Sequence, residues 1–334
     1  MRVFGVNVGE DKGAILLTVL LTVAIMSAVA VLIIEQVRYS VQVTINSTSY
    51  NQARWYALST EDWAEQTMQK LASPDNSEDG GEPAATGIKT QLNLRTGKTQ
   101  ISADLLAHQN CFNLNSLVTM GDSGELVPNT ETLGQFKRLL VALDFSEDTA
   151  SQLAASVADW IDADSEALPG GAEDYEYSGL LVPYRTGNIY MADESELRKV
   201  KGFTREIYYR VLPSVCALPG NKPNPINLNI LSKEESPLTA TIFVSGQRQV
   251  LVDAIVGARP LGGYTDVEDI WKIPALAGIE IAAAGKAQLS VESRYYLLQT
   301  HVSLDEAYVE LETLFDSKAS DKASFVRRRF GGKL

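Results

Sequence analysis

The chain has 334 residues, of which 45% are hydrophobic and 21% charged, so it can form a packed core in one large domain or two modest ones. Its formal net charge of −13 argues against a nucleic-acid partner, because affinity for phosphate comes from clustered lysine and arginine. The sequence lacks H-E-x-x-H, C-x-x-C, G-x-S-x-G and phosphate-loop motifs, so metal-dependent or histidine-dependent catalysis is poorly supported.

The first predicted element is a long N-terminal helix. Residues 14–34 contain no charge, glycine or proline, and 21 residues are enough to cross a bilayer core as a helix. This run is too long for an ordinary secretory signal, and it is followed by Glu35 and Arg38 instead of a cleavage site. We therefore predict a retained transmembrane helix that continues to residue 73, because no glycine or proline interrupts it before Pro74.

A short leader, residues 1–13, precedes the apolar run and ends in Lys12-Gly13. A glycine at this point lets the backbone extend into a protease at the membrane surface. The pattern predicts cleavage ahead of the apolar run that begins at Ala14, so that the helix is retained.

The rest of the chain changes its periodicity twice. Residues 74–87 are rich in proline, glycine and acids, and they predict a flexible loop that ends the helix. Residues 98–106 predict a strand, and from about Leu133 to Leu218 apolar residues recur at helical spacing. After Ala287 the period becomes two, in three segments separated by turns, which predicts three antiparallel strands. The last segment contains Arg327, Arg328 and Arg329, which are typical of an edge strand guarded by charge.

These elements predict an α+β fold, in which a long N-terminal helix packs on an antiparallel sheet and an all-helical domain is inserted into the sheet domain. The predicted units are the leader (1–13), the helix (14–73, transmembrane over 14–34), the sheet domain (74–113 and 221–334) and the inserted helical domain (114–220). The segments 112–117 and 226–231, FNLNSL and INLNIL, echo each other, and we expect their asparagines to cap the turns that follow.

The inserted domain contains a segment, residues 197–203, that resembles a helix-hairpin-helix turn of the kind found in SAM-like domains. Such turns bind DNA phosphate through backbone amides. The neighbouring acids Glu194, Glu196 and Glu206 disfavour that use, so we expect the hairpin to be structural.

At this point the chain resembles the type IV pilins and pseudopilins, which share a leader ending in Lys-Gly and a helix half inside the membrane. Further segments are similar to the K-type minor pseudopilins of type II secretion: residues 112–115, 159–162 with 171–174, 183–185 and 226–229. The resemblance implies processing by prepilin peptidase after Gly13 and anchoring in the bacterial inner membrane by a single pass, with the soluble part in the periplasm. It also implies a structural protein and not an enzyme.

Thr18 occupies the fifth position of the predicted mature chain, where members of this class usually carry glutamate. The resemblance implies that this glutamate pairs with the amino terminus of the subunit ahead, and an unpaired carboxylate in the bilayer costs roughly 2.5 to 3.5 kcal/mol. A subunit with nothing ahead of it gains by losing the glutamate. A large insertion would also collide with a neighbour above it in a tight filament.

We therefore predict a position at the tip of the pseudopilus, where the chain nucleates assembly with the I-type and J-type minor pseudopilins and with the major pseudopilin. From the tip it would contact secreted cargo or the outer-membrane secretin and support export of folded proteins. Two other functions stay open: a minor pilin of a type IV pilus-like fibre, and a signal-anchored periplasmic enzyme that uses an acidic loop.

Cys111 and Cys216 bracket the predicted insertion. A bond between them would close a loop worth roughly 4.7 kcal/mol in the chain-entropy model, and the periplasm permits disulfides. The alternative is two unpaired buried thiols.

The acidic loop places Asp162, Asp164, Glu166 and Glu173 at positions 1, 3, 5 and 12 of a calcium-loop spacing, with Asp174 beside or instead of Glu173. Alanine stands where an EF-hand loop needs glycine, so a regular EF-hand is excluded. The resemblance implies calcium binding, and we predict that calcium neutralises and orders this loop. The alternative is a solvated acidic loop.

Overall fold

A computed structural model describes residues 11–72, 89–243, 248–276, 283–318 and 323–331. Most of the predicted leader and the whole predicted loop at 74–87 lie outside these residues. The α-helices of the described part are α1 (Asp11–Ala72), α2 (Thr130–Ala142), α3 (Glu147–Ile161), α4 (Asp174–Ser178), α5 (Arg205–Val211), α6 (Arg248–Gly257) and α7 (Ala283–Lys286).

The strands of the described part fall into one main sheet and three short ladders. They are β1 (Lys89–Thr96), β2 (Thr99–Ala107), β3 (Phe112–Asn113), β4 (Val118–Met120), β5 (Leu126–Pro128), β6 (Val215–Cys216), β7 (Ile226–Asn227), β8 (Leu289–Ser290), β9 (Tyr295–Leu304), β10 (Ala307–Asp316) and β11 (Ser324–Phe330). Short 3-10 helices cover Leu114–Leu117, Glu194–Lys199, Leu212–Ser214, Lys233–Thr241, Val267–Lys272 and Pro274–Leu276.

The first helix, α1, runs for 62 residues and has two parts with different surroundings. No other described part of the protein covers its apolar N-terminal part. The span Gly13–Leu71 contains a stretch long and apolar enough to cross a membrane. Further along, Ala53, Ala57 and Ala64 are completely buried against the main sheet. Alanine at these positions lets the helix backbone approach the strands closely, so the predicted packing of a long helix on a sheet is confirmed.

The main sheet is antiparallel, with the strand order β1-β2-β9-β10-β11. The hairpin β1-β2 joins the later meander through β2 and β9, where Ala103 lies opposite Thr300. The three strands predicted after Ala287 are confirmed as β9, β10 and β11, whereas β1 was not predicted. The chain between β2 and β9 leaves the sheet and returns to it, which makes the helical unit a true insertion.

Polar contacts fix the register between α1 and the sheet. The Thr60 hydroxyl lies 2.7 Å from that of Thr300. The buried Glu61 carboxylate accepts hydrogen bonds from Thr313 Oγ1 at 2.7 Å and from Arg328 Nε at 2.8 Å. A buried carboxylate is costly unless it is paired, so Arg328 on the edge strand β11 is needed at this contact.

The insertion extends from Phe112 to about Val291, well beyond the predicted end at residue 220. Residues 226–291, which we assigned to the sheet domain, instead share one buried cluster with the first part of the insertion. Leu238 and Leu251 in this second part and Leu139 in α2 are among its buried members. The period-two pattern of the sheet begins only at β9, which is why the second part packs with helices.

The insertion has two similar halves, and the repeated Asn-x-Asn segments close each of them. Asn115 donates to Met191 O at 3.0 Å and accepts from Met191 N at 2.8 Å. Asn229 makes the same pair of bonds with Tyr264, at 3.0 and 2.7 Å. Asn113 also caps the 3-10 turn Leu114–Leu117, as expected. Asn115 and Asn229 therefore each make, with one residue's backbone, the pair of hydrogen bonds that a neighbouring strand would make.

The predicted disulfide between Cys111 and Cys216 is confirmed, with 5.7 Å between the two Cα atoms. It lies beside the parallel pair β3 and β6 and packs on the face of the sheet opposite α1, against Leu297 and Leu314. The bond thus closes the first half of the insertion at the point where the insertion meets the sheet.

Candidate functional site

The strongest concentration of buried charge in the described part of the chain lies at the C-terminal end of α3. Asp159 is in the last turn of this helix, and Asp162 follows it as the C-cap residue in an extended conformation. The chain then loops out and returns to Glu173, the N-cap residue of α4. The three carboxylates each offer an oxygen, and these oxygens lie within 4.8 Å of one another.

Hydrogen bonds satisfy only one of the three carboxylates. Asp159 accepts from Ala172 N at 2.8 Å and from Leu168 N at 3.2 Å, and these bonds hold the loop closed. Both oxygens of Asp162 and both oxygens of Glu173 are buried without a hydrogen-bond partner among the described residues. Buried carboxylate oxygens without donors need either protons or a cation.

The same burial raises the pKa values of all three acids. Desolvation, with repulsion from Asp164 and the other two acids, raises the pKa of Asp162 to about 8. Burial and repulsion from Asp159 raise the pKa of Glu173 to about 7, and burial raises that of Asp159 to about 6. Without a cation, the site is therefore expected to retain protons near neutral pH, and a single proton between Asp162 and Glu173 would relieve part of the repulsion.

Gly171 allows the loop to pass over Asp159. A Cβ atom at this position would lie 1.9 Å from Asp159 Oδ2, far inside van der Waals contact. Only glycine permits this approach without moving the carboxylate or the loop.

The structure brings together only part of the predicted ligand set. Asp162 and Glu173 converge, but Asp164 and Glu166 are exposed, and Asp164 accepts a hydrogen bond from Glu166 N at 2.7 Å instead. Asp174 turns away and accepts from Thr186 N and Thr186 Oγ1 at 2.8 and 2.7 Å, bonds that lower its pKa.

The sequence pattern missed Asp159 as a member of this acidic cluster. Its signal in the sequence is its position three residues before Asp162, which places the two side chains about one helical turn apart at the end of α3. The calcium-loop spacing counts forward from Asp162 and so overlooks a carboxylate supplied by the preceding helix.

An aromatic group connects the acidic loop to the core of the insertion. The rings of Trp160 and Tyr177 meet edge to face at 5.4 Å, and Tyr177 stacks on Tyr184 at 5.3 Å. The Tyr177 hydroxyl accepts a hydrogen bond from Lys201 N at 3.1 Å. A change in the conformation of the loop between α3 and α4 should therefore alter the environment of the Trp160 ring.

The residues predicted for processing and assembly lie in α1. Gly13 and Ala14 are exposed within the helix, and Thr18 Oγ1 donates to the Ile15 carbonyl at 2.9 Å. The threonine hydroxyl is thus satisfied inside the helix and needs no partner from another subunit.

Comparison with known proteins gives a consistent result. Two family models described as "Type II secretion system (T2SS), protein K" match residues 110–220 and 226–292, which correspond to the two halves of the insertion. The chain is 32% identical to the type II secretion system protein K of Pectobacterium carotovorum subsp. carotovorum, over 97% of each chain. It is also 32% identical to that of Klebsiella pneumoniae, over 96% of this chain and 97% of the relative.

A solved structure has the same fold. The chain is similar, with a TM-score of 0.71 and 27% identity, to a chain in the crystal structure of the GspK-GspI-GspJ complex from the type 2 secretion system of enterotoxigenic Escherichia coli. The alignment covers 87% of this chain and 99% of the solved one.

Proposed function

This chain belongs to the type II secretion system protein K family and is a minor pseudopilin of that machine, and on this basis we propose that it sits at the tip of the pseudopilus. The observation that carries the proposal is the insertion between β2 and β9, two adjacent strands of the main sheet. A domain of this size above the sheet leaves little room for a subunit ahead of this chain in the filament, whereas the tip has free space.

The replacement of glutamate by threonine at position 18 supports the same position. A subunit inside the filament can pair a membrane-embedded carboxylate with the subunit ahead of it, but the first subunit cannot. Thr18 instead satisfies its hydroxyl within its own helix. We also propose that prepilin peptidase cleaves between Gly13 and Ala14, that α1 anchors the mature chain in the inner membrane, and that the remainder lies in the periplasm. The disulfide supports an oxidising compartment.

The proposed partners are the I-type and J-type minor pseudopilins, because the similar solved structure is a GspK-GspI-GspJ complex. The major pseudopilin would follow beneath them, and the exposed insertion would be free to meet cargo or the secretin. The family is a structural component of a secretion system, so no catalytic step is assigned to the chain.

Labelled pseudopili test the tip position. An epitope on the insertion should bind antibody-coated gold at one end of each fibre in electron micrographs. The same epitope on the major pseudopilin serves as the control and should be labelled along the whole length. Gold distributed along the fibre through the insertion epitope would contradict the proposal.

We further propose that Asp159, Asp162 and Glu173 hold calcium. The set fits a hard divalent cation because it supplies carboxylate oxygens, four of which lack donors among the described residues. Bound calcium would neutralise the three acids and fix α3 to α4. Calorimetric titration of the full chain in detergent should give binding heat that Asp162→Asn removes and that Asp164→Asn, an exposed control, largely retains. Heat that is absent, or unchanged by Asp162→Asn, would exclude this site.

A further inference from the structure

A basic concavity of about 330 Å³ lies on the first half of the insertion. It is lined by Arg198, Phe203, Thr204, Arg205, Tyr208 and Tyr209. Two arginines and three aromatic rings in one concavity are unusual in a chain whose net charge is −13. The concavity belongs to the hairpin that resembles a helix-hairpin-helix turn, for which the proposed function has no role.

The hairpin holds the two arginines on a rigid frame. Leu197 and Val200 are buried in the insertion core, and a capping box between Asp193 and Glu196 fixes the start of the 3-10 helix that carries Arg198. Gly202 makes the turn with φ +88°, and a Cβ there would lie 2.9 Å from a Leu153 methyl group. The turn brings the start of α5, with Arg205, beside the 3-10 helix.

Aromatic rings, and not carboxylates, hold the two guanidinium groups. Arg198 lies 6.0 Å from the centroid of the Tyr208 ring, and Arg205 lies 5.7 Å from that of Tyr209. Both arginines are exposed, and neither forms an ion pair with a described carboxylate, whereas the nearby Arg210 pairs with Asp144 at 3.3 Å. A guanidinium held over a ring keeps its edge free for planar hydrogen bonding.

Carboxylate is the ligand chemistry that suits this arrangement, because a guanidinium edge donates two parallel hydrogen bonds to it. The two arginines can hold one or two carboxylates of a short segment, whereas a long polyanion such as DNA draws its affinity from many phosphate contacts. Glu206 follows Arg205 in the chain, and its pKa is lowered by hydrogen bonds from its own backbone and from Thr204, with a smaller contribution from the Arg205 charge.

We propose that the basic concavity binds the acidic side chains of a short segment on a partner protein, with Arg198 and Arg205 as its carboxylate-binding residues. The aromatic lining excludes water from the contact and so strengthens the charged hydrogen bonds. The concavity is positively charged, whereas the chain as a whole carries a net negative charge. An acidic segment is therefore attracted to the concavity and repelled by the rest of the surface.

Fluorescence anisotropy with the full chain in detergent micelles tests the proposal. The probe is a fluorescein-labelled hexaglutamate peptide, at low ionic strength and again with added salt. Binding should be saturable and weakened by salt, and Arg198→Gln and Arg205→Gln should each reduce affinity about tenfold, since each removes a charge-assisted contact. Arg95→Gln is the matched control, because Arg95 is exposed on the edge strand β1, far along the chain from the concavity. It should bind like the unmodified chain.

Three competitors identify the ligand class. Free glutamate should compete only at far higher concentration than the peptide, and hexalysine and oligothymidylate should not compete. The proposal fails if the peptide does not bind, if the two arginine variants bind as well as Arg95→Gln, or if oligothymidylate or free glutamate competes as strongly as the peptide. Circular dichroism of each variant confirms that the fold is retained. Because the readout is peptide binding, its failure would leave the tip position untouched.

Discussion

Calcium should stabilise this protein measurably, and replacement of Asp162 by asparagine should abolish that effect. A ligand that binds only the folded state at one hundred times its Kd adds about 2.7 kcal/mol to the free energy of unfolding. For a unit of 150 to 250 residues, each kcal/mol raises the unfolding midpoint by roughly 2 to 4 °C, so the expected shift is about 5 to 10 °C.

Trp160 provides the assay, because its ring packs on Tyr177 beside the three carboxylates. Thermal unfolding followed by tryptophan fluorescence, in calcium and in chelator, should show the shift for the unmodified chain and for Asp164→Asn. Asp162→Asn should show no shift, yet in chelator it should be at least as stable as the unmodified chain, because asparagine, like the protonated acid, adds no charge to the buried site and cannot ionise. An equal loss of stability for Asp162→Asn with and without calcium would indicate a purely structural carboxylate and refute the reasoning.

The pH dependence follows from the same burial. The pKa of Asp162 is raised from 3.8 to about 8 and that of Glu173 from 4.5 to about 7, so the folded state binds protons more tightly than the unfolded state. The contribution of these two acids to the stability of the calcium-free chain should therefore be fully present below about pH 4 and be lost as the pH rises to about 8. Calcium needs the ionised acids, so its stabilisation should grow over the same range. The same pH dependence for the calcium-free Asp162→Asn variant and the unmodified chain between pH 5 and pH 8 would contradict this assignment.

Three further predictions concern the disulfide, the pair of Glu61 with Arg328, and the glycine beside the acidic cluster. Serine at both Cys111 and Cys216 should lower the free energy of unfolding by up to roughly 4.7 kcal/mol, measured by denaturant titration against the oxidised chain. Arg328→Gln should lower the free energy of unfolding by about 3 to 5 kcal/mol, because it leaves the buried Glu61 carboxylate without its cation. Glu61→Gln should cost less, because the partly exposed Arg328 can be hydrated instead. Equal losses for the two variants would argue against this asymmetry. Gly171→Ala should weaken calcium binding in calorimetry, because its Cβ would displace a proposed ligand, and unchanged affinity would count against the site.

The sequence was sufficient to predict the elements whose signal is local. The apolar run ahead of Glu35 predicted the start of α1, and the period-two pattern after Ala287 predicted β9, β10 and β11. Residue periodicity reports which face of one element is apolar, so it predicts single elements well. It failed for β1, an edge strand with mostly exposed side chains, because neither face is strongly apolar.

The candidate site was only half predictable. Spacing along the loop found Asp162 and Glu173, but it also selected Glu166, which is exposed, and Asp174, whose carboxylate is taken up by Thr186. Counting along a chain cannot tell which way an irregular loop turns. Hydrogen bonds from the loop backbone to Asp159 decide that direction, and they depend on contacts formed only on folding.

By itself, the sequence determined the long apolar N-terminal helix, the strand periods and the family resemblance, because each depends on the order of residues within short segments. Tertiary structure alone decided that residues 226–291 join the insertion and that three acids meet at the end of α3. It also paired Arg327 on the last strand with Glu194 in the insertion at 3.0 Å. Burial and charge pairing act between residues far apart in the chain, and only the folded arrangement chooses among the many partners that the same composition allows.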